Sequence, residues 1–104
     1  MKHSDSLIKA LSANHTLKEN VLTAAKISGQ WFEVKLKSGS KFVCRFGVHK
    51  YIRGANKIRS RSGKVSVYAI ERDIAGRFSG EGFYTNIDLK SIQQIDIGGR
   101  NYQF

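Results

Sequence analysis

Residues 31–48 alternate. In WFEVKLK (31–37) Phe32, Val34 and Leu36 fall on one side, and in KFVCRFGV (41–48) Phe42, Cys44, Phe46 and Val48 do the same. A period of two puts every second side chain on one face of a pleated strand, which no helix does. Ser38-Gly39-Ser40 between the two runs is a turn signal. The pattern therefore predicts a hairpin with one greasy face, and the chain must cover that face. A three-residue turn at 38–40 pairs Lys37 with Lys41, Lys35 with Val43, Glu33 with Arg45 and Trp31 with Gly47. This register keeps both apolar sets together and predicts a Glu33–Arg45 ion pair. It also sets Lys37 against Lys41, so these two cations either splay into water at the tip or share an anion.

The segments around the hairpin complete a small sheet. KVSVYAIER (64–72) is apolar on both sides in its middle and reads as a central strand. FYTNIDL (83–89) and IQQIDI (92–97) read as two more strands, with Phe78 a candidate for another. A Gly98-Gly99 turn and a short tail follow. Residues 4–28 carry a helical stripe: Leu7, Ile8 and Leu11, then Leu17, Val21, Ala24 and Ala25. Thr16 and Glu19 have capping-box spacing, and Gly29 is a natural stop. One kinked helix and two short ones both fit. A chain of 104 residues is a single domain, 1–104.

The expected fold is mainly β with an N-terminal helix (α+β). It is a small, strongly bent, five-stranded antiparallel barrel over 31–97, preceded by helical residues 4–28. FEVKLKSGSKFVCRF (32–46) is similar to the first motif of Sm-like proteins, with Val34, Leu36, Gly39, Phe42 and Phe46 on that motif's apolar and glycine positions. FYTNIDLKSIQQIDI (83–97) loosely resembles the second motif, in which a short strand precedes the closing one. The resemblance covers about half the chain and extends to SH3-like barrels. It implies a barrel often used for RNA binding, sometimes as a ring. Cys44 stands where that family often has glycine, and the connection over 49–63 is longer than its usual one.

Charge narrows the function. The net charge is +10. From Val34 to Ile70 there are ten basic residues and no Asp or Glu, while elsewhere eight basic residues balance eight acidic ones. A surface so lopsided suits a polyanion, of which nucleic acid is the commonest. The densest part, HKYIRGANKIRSRSGKV (49–65), reads as a basic arm over 49–64. Lys50, Arg53, Lys57, Arg59, Arg61 and Lys64 are its candidate phosphate contacts, with Tyr51 placed to stack on a base. Lys35, Lys37 and Lys41 of the hairpin extend the grip. The alternatives are docking on an acidic protein surface, as a small inhibitor from a mobile genetic element does, and a solvated loop with no ligand. Trp31 shares the hairpin's outer face with the lysines. It is either a stacking platform or a residue covered by the N-terminal helix, and the average burial of tryptophan favours the covered reading. Tyr68, Tyr84 and Tyr102 are equally at home stacking or half-buried.

Catalysis finds little support. His3, His15 and His49 form no metal-binding spacing with Cys44, and Asp73, Glu81, Asp88 and Asp96 are dispersed. No enzyme activity and no cofactor are expected. With one cysteine there is no disulfide framework. No apolar run has the length of a signal-peptide core or a bilayer span. The expectation is a soluble cytoplasmic protein that binds RNA or DNA, with RNA slightly favoured, and that regulates gene expression.

Overall fold

The computed structural model describes residues 17–48, 56–59 and 62–104. Helix α1 (Leu17–Ser28) precedes seven strands: β1 (Phe32–Leu36), β2 (Lys41–Arg45), β3 (Lys57–Arg59), β4 (Lys64–Arg72), β5 (Phe83–Asp88), β6 (Ile92–Ile97) and β7 (Arg100–Gln103). A 3₁₀ turn, Leu89–Ser91, joins β5 to β6. All pairings are antiparallel, in a curled sheet that forms a half-barrel.

Helix α1 begins one residue after Thr16, where the Thr16–Glu19 spacing predicts a start. It stops at Gly29, whose φ of +67° and N–H to the Ala25 carbonyl (2.9 Å) make a left-handed C-terminal cap. The earlier part of the predicted helical region lies outside the described residues. Val21, Leu22, Ala24 and Ala25 bury one stripe against the sheet. The two alanines let the helix approach closely. Lys18 ties the helix to the 3₁₀ turn by donating to the Leu89 carbonyl at 2.6 Å.

The inner face of the sheet supplies the rest of the core. Phe32, Val34, Cys44, Phe46, Val65, Val67, Ala69, Ile92, Ile95 and Ile97 are all buried. Each large aliphatic side chain taken from exposure to full burial contributes about 1.5–3 kcal/mol. A bulge on β6 shifts the register between Lys35 and Leu36 of β1 and tightens the curl.

Four local expectations are corrected. The hairpin is real, but its turn is Lys37-Ser38-Gly39. The Gly39 N–H donates to the Leu36 carbonyl and Gly39 sits at φ +95°, a type I turn with a left-handed third residue. The ladder therefore runs Lys35↔Lys41, Glu33↔Val43 and Phe32↔Cys44, two residues from the expected register. A two-residue shift keeps every side chain on its face, so the apolar pattern could not tell the registers apart. It does remove the Glu33–Arg45 pair: Glu33 binds Arg72 of β4 at 2.9 Å, and Arg45 donates to the Gly29 carbonyl at 3.0 Å. Finally, the tail after Gly98-Gly99 is strand β7, joined by two glycines with φ of +57° and +79°. Phe78 makes a single bridge to Arg72 and no strand.

The strand count of seven rather than five has two causes, β7 and a break along one edge of β4. Ser66 and Tyr68 of β4 face Asn86 and Tyr84 of β5 on one edge. On the other edge Tyr68 faces Arg45 of β2, and Ser66 faces Lys57 of β3. So β2 and β3 lie end to end along the same edge of β4. A regular ladder would place Gly47 opposite Ser66, but Lys57 stands there, ten residues later. One long strand is interrupted by an excursion.

Candidate nucleic-acid interface

Parity assigns the outer face. Lys35 of β1, Lys41 of β2 and Arg72 of β4 stand side by side in one row across three strands. Four residues further along β4, Tyr68 is flanked by Arg45 and Tyr84. Beyond it Ser66 is flanked by Lys57 and Asn86, and Lys64 by Arg59 and Asp88. From Arg72 to Lys64 this is roughly 27 Å of strand at about 3.4 Å per residue.

The charges in this strip differ in how committed they are. Arg72 is held three ways: by Glu33, by the Gly76 carbonyl at 2.7 Å, and over the Phe78 ring at 4.7 Å. It organises the β4–β5 connection. Asp96, at the β6 side of the face, accepts from Asn101 and Gln94. Lys35, Lys41, Lys57 and Lys64 have no ion pair or hydrogen bond among the described residues. Of the acids on this face, Glu33 and Asp96 are engaged, while Asp88, the cross-strand neighbour of Lys64, makes no side-chain hydrogen bond or ion pair among the described residues. Lys37 is exposed in the hairpin turn, and its charge adds to burial in lowering the pKa of Lys18 below its usual value; burial is the larger cause.

Between the lysines runs a line of rings. Trp31 and Tyr68 meet edge to face at 6.3 Å between centroids, as do Tyr68 and Tyr84, also at 6.3 Å. The Arg45 guanidinium lies 5.6 Å over Trp31. Trp31 is 44% exposed, so the expectation that the helix covers it is overturned. It shares parity with Glu33 and Lys35, and the helix packs on the opposite face. A Cβ added at Gly82 would land on the Tyr68 hydroxyl, so the absent side chain there makes room for this ring.

The predicted site residues divide accordingly. Lys35, Lys41, Lys57 and Lys64 come together on one strip, and Arg59 stands in the ladder opposite Lys64. Lys50, Tyr51, Arg53 and Arg61 lie outside the described residues. The stretch 49–64 is not one continuous arm, because residues 57–59 pair with β4 and Lys64 begins it. Lys57 stands opposite Ser66 and Arg59 opposite Lys64, with Gly63 just before β4 at φ +66°. Sequence reasoning left Tyr68 and Tyr84 undecided. The readable signal was parity in KVSVYAIER, where Val65, Val67 and Ala69 are buried on one face and Tyr68 and Ile70, half-buried, share the other with the buried Ser66.

The excursion is closed at its base by Asn56. Its side-chain oxygen accepts from the Gly47 N–H at 2.9 Å and from the Tyr84 hydroxyl at 3.0 Å. Its φ of +60° is a conformation that asparagine tolerates better than most residues. Asn56→Ala loses both acceptor contacts and keeps the strained backbone. It is expected to cost about 1–3 kcal/mol in urea unfolding. Asn56→Gly should recover the backbone part only.

Among the described residues no three His, Cys, Asp or Glu side chains gather as a metal-binding group, and no helix is long and apolar enough to cross a membrane. An open cleft of about 640 Å³ lies between the β1–β2 turn and the β4–β5 connection, with Lys41 and Arg72 on its wall alongside Glu71 and Asp73. Compared with known proteins, the chain matches no family model, no curated protein and no solved structure.

Proposed function

We propose that this chain is a non-enzymatic nucleic-acid-binding protein with a regulatory role, gripping the phosphate backbone on the outer face of its half-barrel. The observation that carries the reading is the set of four uncommitted lysines, Lys35, Lys41, Lys57 and Lys64, on one strip. Lysines so placed neutralise phosphates and release counterions, which gives affinity without reading sequence. An Sm-like or SH3-like barrel is the finer fold reading. It is supported by the order β5, β4, β2 with β3, β1, β6 and by the 3₁₀ turn before β6, with β7 as an addition. That reading leans the ligand towards RNA.

The second reading, docking on an acidic protein, is favoured by Ile74 and Phe78. Both are exposed in the β4–β5 connection, Ile74 completely. A salt titration separates the two. Nanomolar binding to RNA or DNA is expected at low salt, with log K falling against log salt at a slope of about −3 or steeper for a single strand, from four or more neutralised phosphates. Absence of binding to single-stranded RNA, single-stranded DNA and duplex DNA at low salt leaves the protein-docking reading in its place.

A further inference from the structure

We propose that Trp31, Tyr68 and Tyr84, with Arg45, form a platform on which unpaired nucleobases stack, so that the ligand is single-stranded nucleic acid and not duplex. This rests on the nucleic-acid reading above and specifies its substrate.

Tyr68 lies midway along the strip, four residues from Arg72 in one direction and four from Lys64 in the other. The uncommitted lysines sit at the two ends, and the rings sit between them. A backbone that crosses the strip meets cations first, then rings, then cations. In a duplex the base faces are stacked on one another and cannot reach such rings. In a single strand they can. The edge-to-face geometry, with interplanar angles of 64° and 66°, gives successive rings different tilts. That suits a flexible strand better than a rigid helix. Arg45 is exposed and its guanidinium lies over the indole, so a base on Trp31 stacks either against this cation or in its place. A strip of roughly 27 Å is long enough for a short run of a few nucleotides, within the range of known single-strand sites.

The three rings are set by the fold. Trp31 immediately precedes β1, and Tyr68 and Tyr84 are direct cross-strand partners. The Tyr84 hydroxyl is anchored on Asn56, and Gly82 leaves space for the Tyr68 hydroxyl end.

Trp31 is the only tryptophan in the chain and so reports directly on stacking. The experiment titrates the protein with four ligands at one salt concentration: single-stranded RNA, single-stranded DNA of the same sequence, duplex DNA of the same length, and inorganic polyphosphate. Expected is strong quenching of Trp31 emission by one or both single strands. Polyphosphate should compete for binding without quenching, and duplex should bind more weakly than the preferred strand. Tyr68→Ala and Gly82→Ala are each expected to weaken single-strand binding about tenfold, the scale for one lost base stack, with the salt slope unchanged. Tyr68→Phe keeps the ring and should bind like the parent protein. Circular dichroism confirms that each variant is folded.

The outcomes are distinct. If polyphosphate and duplex bind as tightly as single strands, and Trp31 emission does not respond, the phosphate grip stands and the platform is overturned. If none of the four ligands binds, the nucleic-acid reading and the platform fail together. A difference between the RNA and DNA strands identifies which sugar is preferred, and quenching by either supports the platform.

Discussion

Replacing Lys35, Lys41, Lys57 and Lys64 together by Ala is expected to weaken nucleic-acid binding on the order of 100-fold at low salt. It should also flatten the salt slope on a single strand by about 3, since each neutralised phosphate contributes roughly 0.7. These four are chosen because none has a competing partner among the described residues. Arg72 is deliberately left in place. It holds Glu33, Gly76 and Phe78, so its loss would disturb the β4–β5 connection and confuse a binding effect with a structural one. The quadruple variant should be no less stable than the parent. Lys35 and Lys41 are direct cross-strand neighbours of like charge, and such pairs oppose folding. A melting temperature that holds or rises, together with the lost affinity, would assign the lysines to binding. An unchanged salt slope would show that phosphate is gripped elsewhere.

Cys44 supplies the second large effect. Its thiol is fully buried on the inner face, with a weak contact to the Phe42 carbonyl at 3.7 Å. Burial pushes its pKa from an ordinary 9.0 up to about 12, and the charge of Glu33 adds in the same direction. At pH 8 the folded thiol is therefore ionised about a thousandfold less often than an accessible one. A thiol-disulfide reagent should react with the native protein only through opening of the fold, and promptly once urea has unfolded it. The same shift has a consequence for stability. Between pH 9 and pH 12 the unfolded thiol loses its proton while the folded one keeps it. The native state then binds more protons, so stability falls as pH rises through that window. The fall should be shallower in Cys44→Ala, measured as urea midpoints at several pH values. Equal pH dependence in the two proteins would show that the native thiol titrates normally.

Periodicity carried much of this architecture. The alternation in 31–48 is enough to assign each side chain of β1 and β2 to a face, and those assignments hold; β4 reads only as a central strand, which it is. Gly29 as the helix stop was legible because only a left-handed cap explains a glycine there. Register was not legible. Placing the turn at 38–40 or at 37–39 gives the same faces, and the choice rests on which residue takes the positive φ. That two-residue difference decided the partner of Glu33. The strand at 57–59 was hidden by its composition, since Lys57-Ile58-Arg59 has a single apolar residue and reads as part of a charged run. It forms because β4 offers an unpaired edge beyond Tyr68. The position of Trp31 followed from parity, but its exposure did not. That depends on which face the helix covers, a tertiary fact that no local pattern encodes.

The interrupted strand separates two jobs that most hairpins combine. The ladder against β4 resumes at Lys57 whatever lies between, because Asn56 resets the backbone and pins it to Gly47 and Tyr84. Closing a flexible loop costs only slowly more as it lengthens, about 0.6 kcal/mol for each doubling. A chain with residues inserted between Gly47 and Asn56, up to a doubling of that segment, is therefore expected to lose under about 1 kcal/mol in urea unfolding. Sheet register and the sequence of that segment are then separable, because the contacts that hold its ends, from the Gly47 N–H and the Tyr84 hydroxyl to Asn56, lie in the half-barrel itself.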